Sequence, residues 1–371
     1  MPFLKPPPDL GSGPRATVRV DPPPTDQSPP PADRGATRED ADAGPDDPAE
    51  PSGRALAEIR AGLALVAADA EARRLRAETR TLADPDGALA GWLYGRWWCG
   101  LTEPAAWPGA AERAAHPAED DPARGAARLE EARRTVAPTS DGWLVLAAAG
   151  QDLVAASLVE PDHHRLRTVV EAVTASSRPG CPPRPGDLVS LQHGSAGLDP
   201  SGSWWWAHAG RPEDTAEVPL DRWYLHARDL ASAAAAVPLL LELAAAVGCA
   251  LSLKCPPTAY GYGRRDALVA YLPSAAAPTA EPALRRRADR LLPLLSPEVP
   301  PCTRRLLPGV ATAQDPGASG AATPVSYGQL RCAQLAAVAA RFAGRDPSDE
   351  ALTTALADLG ADVAAIERVG R

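Results

Sequence analysis

The chain has 371 residues, of which 45% are hydrophobic and 23% charged, so most of it can bury a core and wholesale disorder is excluded. The net charge of −9 argues against a general nucleic-acid or acidic-membrane binder, because such a protein needs a positive field to reach phosphates. Six cysteines contain no Cys-x-x-Cys pair, which suits neither a zinc site nor a small disulfide scaffold. Without a basic-then-apolar signal peptide, we expect a reduced, cytoplasmic setting.

The basic residues are almost all arginine. Of 38 Lys and Arg residues, only Lys5 and Lys254 are lysine. A biased base composition of the genome explains this simply. The bias toward arginine also makes Lys254 informative, because a chain that readily uses arginine has an amine at this position.

The N-terminal third divides into a tail and a helical region. Residues 1–52 hold 14 prolines, and this Pro-rich acidic composition predicts a disordered tail. Residues 53–137 form the predicted helical region. Apolar residues at helical spacing predict helices from Ser52 to Arg80, from Asp84 to Cys99 and from Ala123 to Thr135, with a linker at 101–122. The tryptophans of the second helix recur at a spacing that is typical of a buried hydrophobic core.

Residues 138–371 form the predicted α+β domain, a sheet covered by helices. A period near two predicts a hairpin turning at 149–151, and further strands at Asp187–Leu191, Gly202–Ala209, Arg222–Ala227, Ala250–Cys255 and Ala267–Leu272. Helices are predicted at Leu230–Val247, Glu281–Leu295, Tyr327–Ala343 and Ser348–Arg368, and a loop at 308–325. The apolar run from Leu230 to Leu253 indicates a buried helix entering a strand rather than a membrane span, because Pro238, Glu242 and Gly248 interrupt it.

The standard nucleotide-binding, zinc-protease and serine-hydrolase motifs are absent. The residues that could carry out chemistry lie instead in three adjoining elements. Strand alternation puts Arg222, Tyr224 and His226 on one face, and Lys254 on the polar face of a later strand. If these strands are neighbours, Lys254 and His226 converge. The turn that follows carries Arg264 and Arg265, and further arginines stand at Arg304 and Arg331.

This set of residues suits an oxyanion such as phosphate, because arginine supplies a bidentate fork and lysine can lose its proton. Taken singly, an arginine at a sheet edge is usually solvated, and a lone histidine in a strand is usually paired with a carboxylate. The adjacent pair His163-His164 is a poor metal site, since neighbouring side chains diverge, and we predict no metal and no other cofactor. His193 is typical of a turn residue and His116 lies in the linker.

A series of short motifs then occurs in order. They are Gly142-Trp143, Gly202-Ser203-Trp204-Trp205-Trp206, Arg222-Trp-Tyr-Leu-His, Leu253-Lys254, Arg264-Arg-Asp-Ala-Leu-Val-Ala-Tyr, Pro308-Gly-Val-Ala-Thr-Ala-Gln-Asp-Pro and Ser326-Tyr-Gly-Gln-Leu-Arg-Cys. Across roughly residues 55–345 the chain resembles the HopA-type effector family. That family includes phosphothreonine-lyase-like proteins of gene clusters for lanthipeptides and thioamide-containing peptides, and is distantly related to secreted bacterial phosphothreonine lyases.

The resemblance implies a phosphothreonine-lyase-like fold, with a mainly antiparallel central sheet flanked by helices, and a metal-free β-elimination. The distant lyases use a histidine acid, then a lysine base about thirty residues later and an arginine about ten residues after the lysine. Here His226, Lys254 and Arg264 stand 28 and 10 residues apart. The distant lyases also carry a second lysine where this chain has Tyr224, so enolate stabilisation must come from elsewhere.

The resulting prediction is a lyase that eliminates phosphate from phosphoserine or phosphothreonine of a ribosomal precursor peptide and leaves a dehydroamino acid. Lys254 is the predicted base, His226 the acid, and Arg264 the phosphate ligand, with Arg304, Arg331 and Arg265 as further candidates. Arg222, Tyr224 and Trp206 are predicted to line the peptide groove, although Trp204–Trp206 suit a sheet core equally well. The resemblance also implies a kinase-like partner. A non-catalytic peptide-binding subunit and metal-free phosphate ester hydrolysis are the alternatives.

Overall fold

A computed structural model describes residues 51–79, 87–101, 121–136, 139–150, 152–158, 165–169, 173–192, 195–209, 218–317, 325–343 and 345–369. The predicted tail up to residue 50, most of the linker at 101–122, and His116, His163, His164 and His193 lie outside these ranges. The described part is a mixed α+β structure of antiparallel sheets flanked by helices, which confirms the predicted fold class.

Four helices precede the first strand in the described chain: α1 (Pro51–Ala68), α2 (Ala70–Glu78), α3 (Ala88–Leu93) and α4 (Pro122–Arg134). A π-helical turn, Tyr94–Trp98, continues α3. The single helix predicted over 52–80 is two helices, because the Asp69 side chain accepts a hydrogen bond from the amide of Ala72 at 2.9 Å and starts α2.

The strands form two sheets rather than the one that was predicted. The first has five strands in the order β3-β2-β1-β5-β4. They are β1 (Thr139–Ala149), β2 (Asp152–Ser157), β3 (Arg165–Val169), β4 (Val173–Ser176) and β5 (Leu188–Gln192). The predicted hairpin is β1 and β2. This sheet has a core of its own around Trp143 and Leu153.

The second sheet has seven strands in the order β11-β12-β8-β10-β9-β7-β6. They are β6 (Ser195–Leu198), β7 (Trp205–Ala209), β8 (Leu220–Leu225), β9 (Leu251–Cys255), β10 (Leu268–Pro273), β11 (Arg304–Leu307) and β12 (Val310–Gln314). Its central strands are buried on both faces. Trp223 and Leu225 join the core on one face, and Tyr224 and Tyr271 join the core on the other.

The remaining helices cover this sheet. They are α5 (Leu230–Val247), α6 (Ala277–Arg285), α7 (Ala288–Leu291), α8 (Tyr327–Arg341) and α9 (Asp349–Ala357). Helix α5 has the predicted bounds. By length and composition it could cross a membrane, but half of it is buried, as in the core helix of a folded domain. It packs with Trp223 and Leu225, whereas α8 packs on the opposite face with Tyr224 and Tyr271.

Three predicted elements differ from the structure. The loop predicted at 308–325 begins with β12, which pairs with β11 across a tight turn at Gly309, where φ is +73°. A side chain at Gly309 would lie 2.2 Å from the carbonyl oxygen of Ser296, so the turn requires glycine. The helix predicted over 281–295 is divided into short pieces: one helix ends at Arg285, the next is Ala288–Leu291, and a 3₁₀ turn, Leu292–Leu294, contains Pro293. The last predicted helix stops at Ala357, ahead of Gly360 with φ +76°.

Candidate functional site

Lys254 lies on the face of the seven-stranded sheet that packs against α8. In the strand register, Lys254 of β9 is opposite Val269 of β10, and Val269 is opposite Tyr224 of β8. Strand β10 therefore separates the two strands whose convergence the sequence suggested. Two strand spacings place the Cα atoms of Lys254 and Tyr224 about 9–10 Å apart. A ligand bound above β10 can therefore contact side chains of both β8 and β9.

The Lys254 amine contacts aromatic rings. Its Nζ atom lies 4.9 Å from the ring centroid of Trp204 and 5.8 Å from that of Tyr271. These distances are typical of cation–π contacts. The side chain is half-buried, and within the described ranges no carboxylate or hydrogen-bond acceptor pairs with it. Lys254 is thus a half-buried cation that is available to an anionic ligand.

Arg264 contacts the same tryptophan ring as Lys254. Its guanidinium carbon is 5.5 Å from the Trp204 ring centroid, although the residue is only 6% exposed. Nε and Nη2 donate to the two carboxylate oxygens of Asp266 at 2.5 and 2.9 Å. Burial acts to lower the pKa of Arg264, but the attraction of Asp266 outweighs it and raises this pKa further. The Nη1 atom has no hydrogen-bond partner among the described residues, so it is the nitrogen that can meet a ligand.

Asp266 joins this turn to the N-terminal helices. It is 3% exposed, and its Oδ2 atom accepts from the Tyr94 hydroxyl at 2.9 Å and from the Trp98 indole at 3.1 Å. Tyr94 in turn accepts from Arg264 Nη2 at 3.0 Å. Burial acts to raise the pKa of Asp266, but Arg264 and the hydrogen bonds lower it to about 2. The carboxylate is therefore charged at neutral pH and fixes the direction of Arg264.

His226 follows β8 directly and is partly exposed. Its Nδ1 atom lies 3.2 Å from the backbone oxygen of Glu298 and 3.5 Å from the carboxylate oxygen Oε2 of the same residue. Burial lowers the pKa of His226, and Glu298 acts in the opposite direction. Arg265 and Asp266 are close enough to influence this pKa as well. His226 therefore lies near the turn that carries Arg264, while β10 separates it from Lys254.

The other candidate arginines have different surroundings. Arg265 donates from Nη1 to the backbone oxygen of Trp97 at 3.0 Å, and in the described chain its other nitrogens have no partner. Arg304 is opposite Thr312, and Thr312 is opposite Trp223, so Arg304 lies on the other face of the sheet from Lys254. It forms an exposed ion pair with Glu281. The structure does not bring Arg304 to Lys254.

Arg331 also lies apart from Lys254, and it binds the C-terminal segment. It is 1% exposed, and Nη2 donates to the backbone oxygens of Ile366 and Arg368. Its Nη1 atom donates to Gln334 at 2.7 Å. Both terminal nitrogens therefore have partners within the protein.

The predicted groove residues are divided between core and surface. Tyr224 is buried against Trp98, with ring centroids 5.5 Å apart, and its hydroxyl has no described hydrogen-bond partner. Arg222 is paired with Asp315 at 3.0 Å, and its guanidinium carbon lies 5.1 Å from the Tyr271 ring centroid. Trp206 is half-buried and directly opposite Lys254. Among the three, Trp206 is the one paired directly with Lys254.

Several residues of this site were not predicted from the sequence: Tyr94, Trp98, Asp266, His208, Ser252 and Tyr271. Strand alternation puts Ser252 and Tyr271 on the Lys254 face, and this signal was available. No local pattern joins Tyr94 to Asp266, which are 172 residues apart. Across the described ranges, no group of three His, Cys, Asp or Glu side chains could hold a metal ion.

Comparisons with known proteins agree with the resemblance carried by the motifs. Residues 205–368 match the model of the HopA1 effector protein family. No curated protein shows significant sequence similarity to the chain.

Two solved structures share a weak likeness. They are the effector proteins from Pseudomonas syringae pv. tomato strain DC3000 and from Pseudomonas syringae pv. syringae strain 61, at 16% and 18% identity and a TM-score of 0.34 each. In both cases the match covers 47% of this chain and 66% of the other, which is slightly less than two thirds of those proteins.

Proposed function

We propose that this protein is a lyase that eliminates phosphate from phosphoserine or phosphothreonine in a ribosomal precursor peptide. The observation that carries the proposal is the pair of cations that contact Trp204: among the described residues, Lys254 has no ion pair and one nitrogen of Arg264 has no partner. The match of residues 205–368 to the HopA1 family model supports it, because the resemblance to that family implies a distant relationship to phosphothreonine lyases.

The phosphate would bind between the side chains of Arg264 and Arg265, which are neighbours in the same turn. Nη1 of Arg264 supplies one charged donor, and Nε and Nη2 of Arg265 supply two more. Hydrogen bonds from charged donors to phosphate are short and strong, and they stabilise the charge that develops as the phosphate leaves. Arg265 takes the place of Arg304 and Arg331 as the second phosphate ligand, because both of those are engaged elsewhere.

Lys254 would remove the Cα proton. An amine can lose its proton and accept another, whereas a guanidinium stays protonated near neutral pH. The electron pair of the Cα–H bond becomes the second bond between Cα and Cβ, and the Cβ–O bond breaks with its electrons leaving on phosphate. The products are a dehydroamino acid and inorganic phosphate, and the proton from Cα remains on the lysine.

His226 would protonate the departing phosphate. General acid assistance of this kind contributes on the order of 10²–10⁴-fold. Burial lowers the pKa of the His226 imidazole in the ligand-free protein. A phosphate dianion bound beside it would favour the charged form of the imidazole. The open side of His226, away from Glu298, would face the phosphate.

Mass spectrometry of a phosphopeptide incubated with the pure protein tests the proposal. Elimination gives a product one water lighter than the product of hydrolysis, and a peptide-binding subunit leaves the phosphopeptide unchanged. Lys254→Arg is expected to fold, to bind phosphopeptide and to eliminate at least several hundredfold more slowly. Lys5→Arg is the matched control, because it is the same substitution at the other lysine of the chain.

Two results would contradict this assignment. Near-normal turnover by folded Lys254→Arg would remove lysine from the mechanism. A dephosphorylated hydroxyl product would establish hydrolysis instead. We also propose that a kinase-like protein supplies the phosphorylated peptide; a co-purification of the two proteins with and without peptide measures whether they form a stable complex.

A further inference from the structure

A second polar pair, which the mechanism above does not use, lies next to Lys254. His208 of β7 is directly opposite Ser252 of β9, and its Nδ1 atom is 2.5 Å from the serine oxygen. Both side chains are half-buried. Ser252 precedes Lys254 by two residues on the same strand, so the pair and the lysine share one face of the sheet.

The pair is also close to Lys254 across the strands. Trp206 is directly opposite Lys254, and the His208 ring lies 5.0 Å from the Trp206 ring. Lys254 and His208 are thus diagonal neighbours, which in an antiparallel pair are about 7–8 Å apart. A single bound amino-acid residue spans this separation, with its Cα toward one side chain and its carbonyl oxygen toward the other.

The hydrogen bond with Ser252 determines what His208 can offer a ligand. A neutral imidazole has one nitrogen that donates and one that accepts. If the serine hydroxyl donates to Nδ1, then Nε2 carries the hydrogen, and Nε2 has no partner among the described residues. Burial lowers the pKa of His208, so the ring is neutral at neutral pH. A neutral imidazole N–H is a suitable donor to an oxygen on which negative charge develops.

We propose that Nε2–H of His208 donates a hydrogen bond to the carbonyl oxygen of the residue that loses its Cα proton, and that Ser252 fixes the required tautomer. This inference rests on the proposed elimination. As Lys254 takes the proton, charge from the Cα–H bond spreads onto this carbonyl oxygen before the Cβ–O bond breaks. His208 stabilises that charge without giving up its proton. It fills the need for enolate stabilisation that Tyr224 leaves open.

Steady-state kinetics with a phosphopeptide tests the role of His208. His208→Leu is expected to lower kcat about 100-fold to 1,000-fold, the usual effect of losing one such donor, while KM changes little because the bond strengthens only in the transition state. His208→Gln is the conservative control, because its side-chain amide can place an N–H near the position of Nε2. It should retain most of the activity that His208→Leu loses.

Ser252 is a positioning residue and has its own matched pair. Ser252→Ala should lower kcat about tenfold, and Ser252→Thr, which keeps the hydroxyl and suits a strand, should remain close to the natural protein. The nitrogen chemical shifts of His208 in the natural protein give a second readout that does not depend on activity. They should show the Nε2–H tautomer, and in Ser252→Ala the Nδ1–H tautomer should appear.

The outcomes separate this inference from the proposed function. If the natural protein does not eliminate phosphate, both fail. If it does, and folded His208→Leu has normal kcat, or His208 carries its hydrogen on Nδ1, this inference alone is overturned. Equal loss of melting temperature in His208→Leu and Ser252→Ala with unchanged kcat would establish a purely structural cross-strand bond.

Discussion

Asp266 should be among the most sensitive positions in the protein. Asp266→Asn keeps the shape of the side chain and removes its charge, which leaves the buried guanidinium of Arg264 without a counter-ion. Breaking a buried ion pair by removing one partner costs about 3–5 kcal/mol. The pKa of Asp266, lowered from an ordinary value of 3.8 to about 2, corresponds to about 2 kcal/mol for the carboxylate alone. The larger figure applies to the variant, because it also includes the unpaired arginine.

Urea unfolding of Asp266→Asn measures this loss, with Asp358→Asn as the control. Asp358 forms an exposed ion pair with Arg341 at 2.7 Å, and such pairs contribute up to about 1 kcal/mol. Adding Arg264→Leu to Asp266→Asn should recover stability, because it removes the unpaired charge. A loss no larger than that of Asp358→Asn, or one that Arg264→Leu does not reduce, would refute the reasoning.

The pH dependence supplies an independent check on the same residue. The pKa of Asp266 is lower in the folded protein than its ordinary value, so its contribution is complete above pH 3.8 and is lost as the pH falls towards 2. The difference in unfolding free energy between the natural protein and Asp266→Asn should therefore narrow over this range. A difference that stays constant would show that the carboxylate is not stabilised by its surroundings.

Three further outcomes are expected. Arg331→Met should lower the free energy of unfolding by about 2–3 kcal/mol in urea titrations, because buried carbonyls lose their donors, whereas Arg304→Ala should cost less than about 1 kcal/mol. The value of kcat/KM should fall as the pH rises through a pKa below 6.5, because this ratio reports the free protein, in which burial lowers the pKa of His226, and only the charged imidazole can protonate phosphate. A pH profile measured with a leaving group that needs no proton should lack this fall. Removing residues 1–50, whose composition offers no core, should leave the melting temperature and turnover largely unchanged, as calorimetry and the phosphopeptide assay can show.

Alternation within a strand proved a reliable guide to faces but not to neighbours. The sequence puts Ser252 and Lys254 together on one face of β9, as the structure does. It does not reveal that β10 lies between β8 and β9, because strand order depends on how the connecting segments cross the sheet. Helix α5 has the bounds that were predicted from its apolar run, and in the structure Asp229 and Gly248 cap its two ends.

The missed strands have a physical explanation. Strand β12, in a Pro-, Gly- and Ala-rich stretch, has the composition of a loop, but it is buried between β8 and β11, and this tertiary pairing outweighs its weak propensity. The role of Asp266 was hidden for a related reason. Its partners Tyr94 and Trp98 are far away in the sequence, and only the packed structure brings them to the turn.

The contacts of Asp266 have a consequence for how far the HopA1 segment can stand alone. That segment starts at residue 205, whereas Tyr94, Trp98 and Trp204 precede it. Gly125 also precedes it, and its backbone packs closely on Pro257: an added methyl carbon at Gly125 would lie 1.6 Å from the Pro257 oxygen. A fragment restricted to residues 205–368 would keep Lys254 and Arg264 but lose the Trp204 ring that both contact and two donors to Asp266. We therefore expect the smallest unit that folds on its own to be larger than the segment that matches the family model, and we expect that segment, moved into another scaffold, to lose this arrangement of its cations.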